Sequence, residues 1–267
     1  MTADSNDAAR PETTAAPGDT LDPEEIEHAV SADPRALNDH IEAIDRYLET
    51  GGIQERAAVG RAFRTAAQDD AGNVRPFVDR FIEFLDDDNG SIRLSGALSI
   101  SAVAKSNPDA VVDFVPKLVS LLRSTDAPGL EMAAIEALGA IGEATPTAIT
   151  DADPIVADRL ETATHPIRVH IVTVFAGAVV QKPSSFPETV EATEAALDDE
   201  SDRVKRYAAA TLAAYADADA ASLSSLESIH ERVADLEARV NAGPLANDEN
   251  VAGAKRTLRE LLEETDG

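Results

Sequence analysis

The two-helix pattern VDRFIEFL-DDDNG-SIRLSGALSISAV at residues 78–103 returns as VPKLVSLL-RSTDAPG-LEMAAIEALGAI at residues 115–141, and this repetition decides the fold. In each copy a short apolar helix ends at a polar break, and a longer apolar helix follows. We find no alternating apolar and polar run between hairpin turns that would indicate a strand. Repeated helix pairs predict an all-α array in which each pair packs on its neighbours.

A leucine at the end of each first helix gives the period. These leucines lie 37, 37, 38 and 37 residues apart, which indicates five copies: Leu48, Leu85, Leu122, Leu160 and Leu197. Fifteen positions further, or sixteen in the third copy, every copy has a large apolar residue, expected to lie in the core: Phe63, Ile100, Leu138, Phe175 and Leu212.

The start of each second helix forms another column. Seven positions after the leucine, or eight in the third copy, stand Ile92, Leu130, Ile167 and Val204. The first copy has Glu55 there, unless Ile53 takes the role and its second helix begins differently. The next position is basic in four copies and acidic in the third: Arg56, Arg93, Glu131, Arg168 and Lys205.

The motif Leu85-Asp86…Ile92-Arg93…Ala97-Leu98, repeated as Leu197-Asp198…Val204-Lys205…Ala209, resembles HEAT repeats, including the short variety of the bilin lyases. The resemblance covers residues 38–226. It implies a right-handed α-α superhelix, a HEAT/armadillo-like solenoid of about five helix pairs. In that family the base and the preceding Asp form a ladder between repeats.

Carried over, the ladder implies that Asp86 or Asp87 pairs with Arg93. It likewise implies that Asp198 or Asp199 pairs with Lys205. Glu131 departs from the pattern, which puts the ladder in doubt in the middle of the array.

The chain divides into four parts on these patterns. A helical stripe from about residue 220 to 240 and a second one at 251–261 are predicted to form a hairpin after the repeats. The predicted parts are a disordered acidic tail at 1–21, a capping helix at 22–37, repeats at 38–76, 77–114, 115–152, 153–190 and 191–226, and a C-terminal hairpin at 227–267.

The charge balance limits the partners. The chain has 50 Asp and Glu against 23 Lys and Arg, a net charge of −27, and each segment 1–37, 38–226 and 227–267 is negative. Such repulsion argues against binding to nucleic acid or an anionic membrane. Excess Asp, abundant Ala and five Lys against 18 Arg resemble the cytoplasmic proteins of salt-in halophilic archaea. The alternative is an ordinary acidic protein of a mesophile.

Composition also bears on location. The chain contains no Cys, and its N-terminus shows no secretory signal pattern, so we expect a cytoplasmic protein. The longest apolar run, Val169 to Val180, is too short to span a bilayer and is predicted to be a buried helix.

No catalytic, cofactor-binding or metal-binding residue stands out. HEAT-type deoxyhypusine hydroxylases bind two irons through several His-Glu pairs, whereas this chain has only His230-Glu231 in that order, outside the array. His170 is expected to be packed and hydrogen-bonded. Gly139 and Gly142 are expected to permit close helix packing. The prediction is a non-enzyme without cofactor; the alternative is a HEAT-type enzyme, a bilin-lyase-like or metal-dependent hydroxylase relative.

A partner-binding surface is the remaining hypothesis. Second helices usually line the concave side of a solenoid, so an apolar strip there would suit a partner peptide; the alternative is that these residues pack between repeats. Basic side chains near both ends could receive carboxylates, or belong to a solvated face or the ladder. The candidate residues are Leu94, Leu98, Met132, Val169, Val172, Arg61, Arg64 and Arg206.

The sequence therefore predicts a non-catalytic scaffold or adaptor that binds a protein partner on its concave face. Taxis-type signalling and chromosome organisation are roles that the family analogy offers. We expect a monomer, with dimerisation through the C-terminal hairpin as the alternative.

Overall fold

A computed structural model describes residues 21–242 and 248–265, and within these ranges the chain is helical and contains no strand. The predicted all-α class is confirmed. The predicted acidic tail lies outside the described residues except for Leu21, whose carbonyl accepts a 3.0 Å hydrogen bond from the Tyr47 hydroxyl. None of the described helices is both long and apolar enough to cross a membrane.

After an N-terminal helix, α1 (Pro23–Ala32), the described residues form six pairs of a first and a second helix. The first helices are α2 (Ile41–Thr50), α4 (Val78–Leu85), α6 (Val115–Ser124), α8 (Asp153–Thr162), α11 (Pro187–Ala195) and α13 (Leu226–Asn241). The second helices are α3 (Ile53–Asp69), α5 (Gly90–Ser106), α7 (Pro128–Ala144), α9 (His165–His170) continued by α10 (Ala176–Val180), α12 (Asp202–Asp219) and α14 (Glu249–Thr265).

The helices contact one another in chain order. Each second helix packs against its own first helix and against the second helices before and after it, from α1 through α3, α5, α7, α9–α10 and α12 to α14. The first helices α4, α6, α8 and α11 form a parallel set of neighbour contacts. Each pair therefore buries its apolar sides mainly against adjacent pairs, as repeat arrays do.

The predicted core columns are buried. Phe63, Ile100, Leu138, Phe175 and Leu212 are fully buried, and four of the five period-marking leucines are buried, with Leu48 partly so. At the start of the first copy Ile53 is 54% exposed, so it does not take the core role. Glu55 instead accepts a 2.6 Å hydrogen bond from the Gly52 amide and caps α3.

Four prolines recur in the connections that precede first helices. Each lies at the start of a 3-10 turn that leads towards the following first helix. Proline fixes φ and lacks an amide proton, so it suits the first position of a helical turn. These residues are Pro34, Pro108, Pro146 and Pro183.

The fourth second helix contains a π-helical segment, Ile171–Phe175, between α9 and α10. α7 approaches it closely, since a Cβ on Gly139 would lie 3.1 Å from the Val174 carbonyl oxygen. A Cβ on Gly142 would lie 2.5 Å from the Ala178 Cβ. The predicted close packing at both glycines is confirmed, and the predicted apolar run is largely buried.

The long helix expected from about residue 220 is wrong at its start. Residues Ala220–Ser222 form a 3-10 turn, and α13 begins at Leu226. The Ser225 hydroxyl accepts a 3.2 Å hydrogen bond from the Ser228 amide and caps the helix there. Serine favours this capping position because its oxygen satisfies an amide that has no partner within the helix.

In three copies, the basic residue one position after the column at the start of the second helix donates a hydrogen bond to the loop just before that helix. Arg56 donates to the Gly51 carbonyl at 2.9 Å, and Arg168 donates to the Ala163 carbonyl at 2.8 Å. Arg93 donates to the Asp87 carbonyl at 2.7 Å. Each bond satisfies a carbonyl near the end of the preceding first helix, where helical partners are missing.

The ladder pairing implied for Arg93 is wrong. No carboxylate pairs with Arg93 among the described residues. The Asp87 carboxylate pairs with Arg56 of the preceding copy at 3.0 Å, and Asp86 pairs with Lys117 of the following copy. Because neighbouring second helices lie side by side, the base reaches forward to the loop of the next copy.

The pairing implied for Lys205 is also wrong. The Asp199 carboxylate pairs with Arg168 of the preceding copy, at 2.8 Å from its Nε, and Lys205 pairs with Asp202 in its own helix at 3.3 Å. Asp199 also accepts a 2.7 Å hydrogen bond from the Ser201 amide. The Asp199 carboxylate therefore joins two copies and also holds the loop that precedes α12.

Candidate partner-binding face

The outward sides of α3, α5, α7, α9–α10 and α12 form one continuous row, which we call the second-helix face. Three open, shallow clefts indent it, each between neighbouring second helices. The side chains and backbone that line them are Arg64, Gln68, Leu98, Ala102, Lys105 and Glu136 in the first, Met132, His165, Pro166, Val169, His170 and Arg203 in the second, and Val172, Thr173, Gly177, Val180, Tyr207 and Ala214 in the third.

The apolar candidate residues are buried to different degrees. Leu94, Leu98 and Met132 are half-buried and pack against the core while keeping an exposed side. Val169 is 7% and Val172 is 3% exposed, so they form cleft walls and pack between repeats. The exposed apolar strip is therefore shorter than the sequence hypothesis describes, and it lies on α5 and α7.

The three basic candidates differ in their partners. Arg61 pairs with Glu27 of α1 at 2.7 Å, and Arg206 pairs with Asp248 before α14 at 2.5 Å. Their guanidinium groups therefore join the array to its two end helices. Arg64 lines the first cleft, and it makes no ion pair with any described residue.

A polar network links side chains of three consecutive second helices, α5, α7 and α9, in the walls of the clefts. Glu136 accepts hydrogen bonds from Lys105 Nζ at 2.7 Å and from Ser101 Oγ at 2.9 Å. Although burial would raise the pKa of Glu136, these hydrogen bonds lower it below its ordinary value. The carboxylate is thus ionised and locally neutralised.

His170 joins this network from α9. Its Nε2 lies 3.2 Å from the Met132 carbonyl oxygen and 3.7 Å from Glu136 Oε1. Burial lowers the pKa of His170 against the opposing effect of Glu136. The expectation of a packed, hydrogen-bonded histidine is confirmed. Among residues 21–242 and 248–265, no three His, Asp or Glu side chains converge to hold a metal ion.

Charge is distributed unevenly over the fold. The five second helices of the face carry nine Lys and Arg against eight Asp and Glu, in a chain with 23 against 50. The cations are Arg56, Arg61, Arg64, Arg93, Lys105, Arg168, Arg203, Lys205 and Arg206. The carboxylates are Glu55, Asp69, Glu131, Glu136, Glu143, Asp202, Asp217 and Asp219.

Seven of these eight carboxylates lie within four residues of a helix end, and only Glu136 lies mid-helix. The middle of the second-helix face is therefore free of uncompensated negative charge. Net charge alone concealed this, because the acidic residues concentrate in first helices, loops and ends.

Lys105, His165 and Tyr207 line the clefts but were not among the candidates from sequence. Arg203 also lines a cleft, and it belongs to the basic side chains near the end of the array that could receive carboxylates. Lys105 lies seven positions after Leu98, on the same side of α5, so helical spacing contains the signal for it. Arg203 lies with its guanidinium carbon 5.7 Å from the centre of the Tyr207 ring, and it makes no ion pair with any described residue.

No family model matches this sequence, and no curated protein matches it.

Proposed function

We propose that this chain is a HEAT-like, right-handed superhelical solenoid that acts as a non-catalytic scaffold or adaptor. A protein partner binds on the second-helix face, and the row of three clefts is the observation that carries this proposal. The chain-order contacts of the helices support the architecture, because consecutive pairs that pack mainly on their neighbours build a solenoid.

The shape of the clefts supports a polypeptide ligand. They are open and shallow, whereas sites for small molecules bury most of the ligand surface in a concave cavity. Met132 and Leu98 offer half-buried apolar contacts, and the cleft edges carry polar groups such as Thr173 and Gln68. Apolar contacts at intervals with polar rims are the arrangement by which grooves bind peptide segments.

The cellular setting is part of the proposal. The acidic composition supports a protein of the cytoplasm of a salt-accumulating organism, where it would link components in taxis-type signalling or chromosome organisation. The helices of the second-helix face carry nearly equal numbers of basic and acidic residues. This supports contact with another macromolecule despite the net charge of −27.

A pull-down from host lysate at molar salt tests the proposal. Leu98→Asp or Met132→Asp should abolish recovery of a partner that the unmodified chain retains, because each places a charge in a cleft wall. The matched control is Ile82→Asp, a half-buried apolar residue on the first helix α4. Only variants whose melting temperature equals that of the unmodified chain are compared.

If Ile82→Asp removed the partner while both cleft variants retained it, the binding surface would lie on the first helices. Stoichiometric iron in the purified protein would instead support the enzyme alternative.

A further inference from the structure

We infer that the partner segment on the second-helix face is acidic: a peptide whose apolar side chains enter the clefts and whose carboxylates meet Arg64 and Arg203. This inference rests on the proposed function and gives the chemistry of its ligand. The net charge of the chain alone would predict that it repels an acidic partner. An acidic partner therefore requires a contact surface whose charge differs from that of the protein as a whole.

Two arginines that line the clefts have no carboxylate partner among the described residues. Neither Arg64 nor Arg203 forms an ion pair with a residue that the structure describes, and the Arg203 guanidinium carbon lies 5.7 Å from the centre of the Tyr207 ring. Acidic side chains outnumber basic ones by more than two to one, and six of the twelve arginines at residues 38–226 pair with a described Asp or Glu. Arg93 likewise lacks a carboxylate partner in the described part of the chain, but it donates to the Asp87 carbonyl. Arg64 and Arg203 instead line the clefts and are available to a partner's carboxylates, which guanidinium groups bind in a bidentate manner.

The local field favours an anion along the row. Between Arg64 and Arg203 the lining residues add Lys105, and Glu136 is the one carboxylate on these walls. Glu136 is already held by Lys105 and Ser101, so its charge is compensated within the protein. An approaching carboxylate therefore meets cations at both ends and no free carboxylate lining the clefts between them.

The spacing of the clefts sets the length of the segment. Packed helices lie about 10 Å apart, so the row from the first cleft to the third spans about 30 Å. A segment in the polyproline II conformation rises about 3.1 Å per residue with three residues per turn, so about ten residues cover the row and every third side chain faces the clefts. Arg64 and Arg203 then flank the segment near its ends.

Three displayed peptide libraries of about 12 residues test this inference, each long enough for the row of clefts. All carry apolar residues at every third position, and the intervening positions are Asp or Glu, Ser or Gln, and Lys or Arg respectively. The libraries are selected together against the full chain at moderate salt, and the affinities of selected peptides are measured by fluorescence anisotropy.

We expect recovery mainly from the acidic library. Arg64→Gln combined with Arg203→Gln should weaken these peptides about tenfold, since two ion pairs at a partly exposed surface are lost. Arg123→Gln is the control, because Arg123 is an exposed arginine on the first helix α6 and makes no ion pair with a described residue. It should leave affinity unchanged.

Other outcomes contradict the inference in distinguishable ways. Peptides recovered mainly from the neutral or basic library, and lost in Met132→Asp, would overturn the acidic ligand but keep the proposed binding face. Recovery that depends on neither Met132 nor Leu98, or no recovery at all, would overturn both. Self-association that Arg203→Gln abolishes would show that a second copy occupies the face, which also overturns the inference.

Discussion

Arg159 of α8 lies 3.4 Å from Glu131 of α7. At this junction the acidic residue is on the second helix and the basic residue is in the following copy, which is the opposite of the arrangement at the next junction along the chain. At three other junctions the base at the start of the second helix donates to a carbonyl of its own loop. Here that position is Glu131, and Arg159 from the next copy donates to the Leu122 carbonyl at 2.7 Å and the Thr125 carbonyl at 3.0 Å. The missing base is thus replaced from the following first helix.

Arg159→Ala should lower the free energy of unfolding by about 3 kcal/mol, because it removes two charged hydrogen bonds and leaves a buried carboxylate unpaired. Glu131 is 4% exposed, and burial raises its pKa above the ordinary value. Because the raised pKa favours the neutral carboxyl as the pH falls, the loss should be greater at pH 7 than near pH 5. Chemical denaturation at the two pH values measures this difference.

Glu131→Gln separates the two contributions to that loss. In the Glu131→Gln background, Arg159→Ala should cost less and its cost should not vary between the two pH values, since no ionisable group remains at the position. An equal pH dependence in both backgrounds would show that another group titrates.

Leu122→Ala should cost about 2–5 kcal/mol, because the side chain is fully buried at the end of α6 and its removal leaves a cavity. Arg123→Ala next to it is exposed and should change stability by less than about 0.5 kcal/mol. Thermal unfolding of both variants tests the register, and equal melting temperatures for Leu122→Ala and the unmodified chain would refute it.

Gly142→Ala should destabilise by about 1–3 kcal/mol, because the added Cβ would overlap Ile149 and lie 2.5 Å from the Ala178 Cβ. Gly253→Ala is the matched control on α14, where the nearest atom is 4.0 Å away. Alanine has the higher helix propensity, so this variant should gain about 0.5–1 kcal/mol. If both variants were stabilised, α7 and α10 would not approach as closely as described.

Salt should stabilise the fold. With a net charge of −27, repulsion between carboxylates weakens as the screening length shortens, so the melting temperature should fall below about 0.5 M salt. Circular-dichroism melts in KCl measure this, with equal osmolarity of sucrose as the control. A melting temperature that is the same in low and molar KCl would remove the halophile interpretation.

The sequence predicted the parts of the fold that depend on periodic burial. The columns through Ile100 and Leu138 identified the helix pairs, because a buried helix side must recur at fixed spacing. The partners of charged residues were not predictable in this way. Arg168 reaches Asp199 in the next copy, and this depends on how far one helix is displaced along another, which burial patterns do not specify.

The candidate face was predicted in outline only. Leu98 and Met132 follow from helical spacing opposite the core column, but the same spacing also selected Val172, which packs between repeats. Exposure of an outward residue depends on how closely the next helix approaches, and Gly139 lets α7 lie close to Val174 in the π-helical segment. The π-helical segment that shapes this contact has no local sequence signature.

Site-specific photocrosslinking tests the central claim, that a partner binds along the second-helix face, most directly. A benzophenone amino acid is placed at Ala102 or Thr173 on that face, and at Glu83 or Glu161 on first helices, in cells of the host. We expect Ala102 and Thr173 to crosslink to one common polypeptide and Glu83 and Glu161 not to crosslink to it. Crosslinks to that polypeptide from the first-helix positions alone would contradict the central claim.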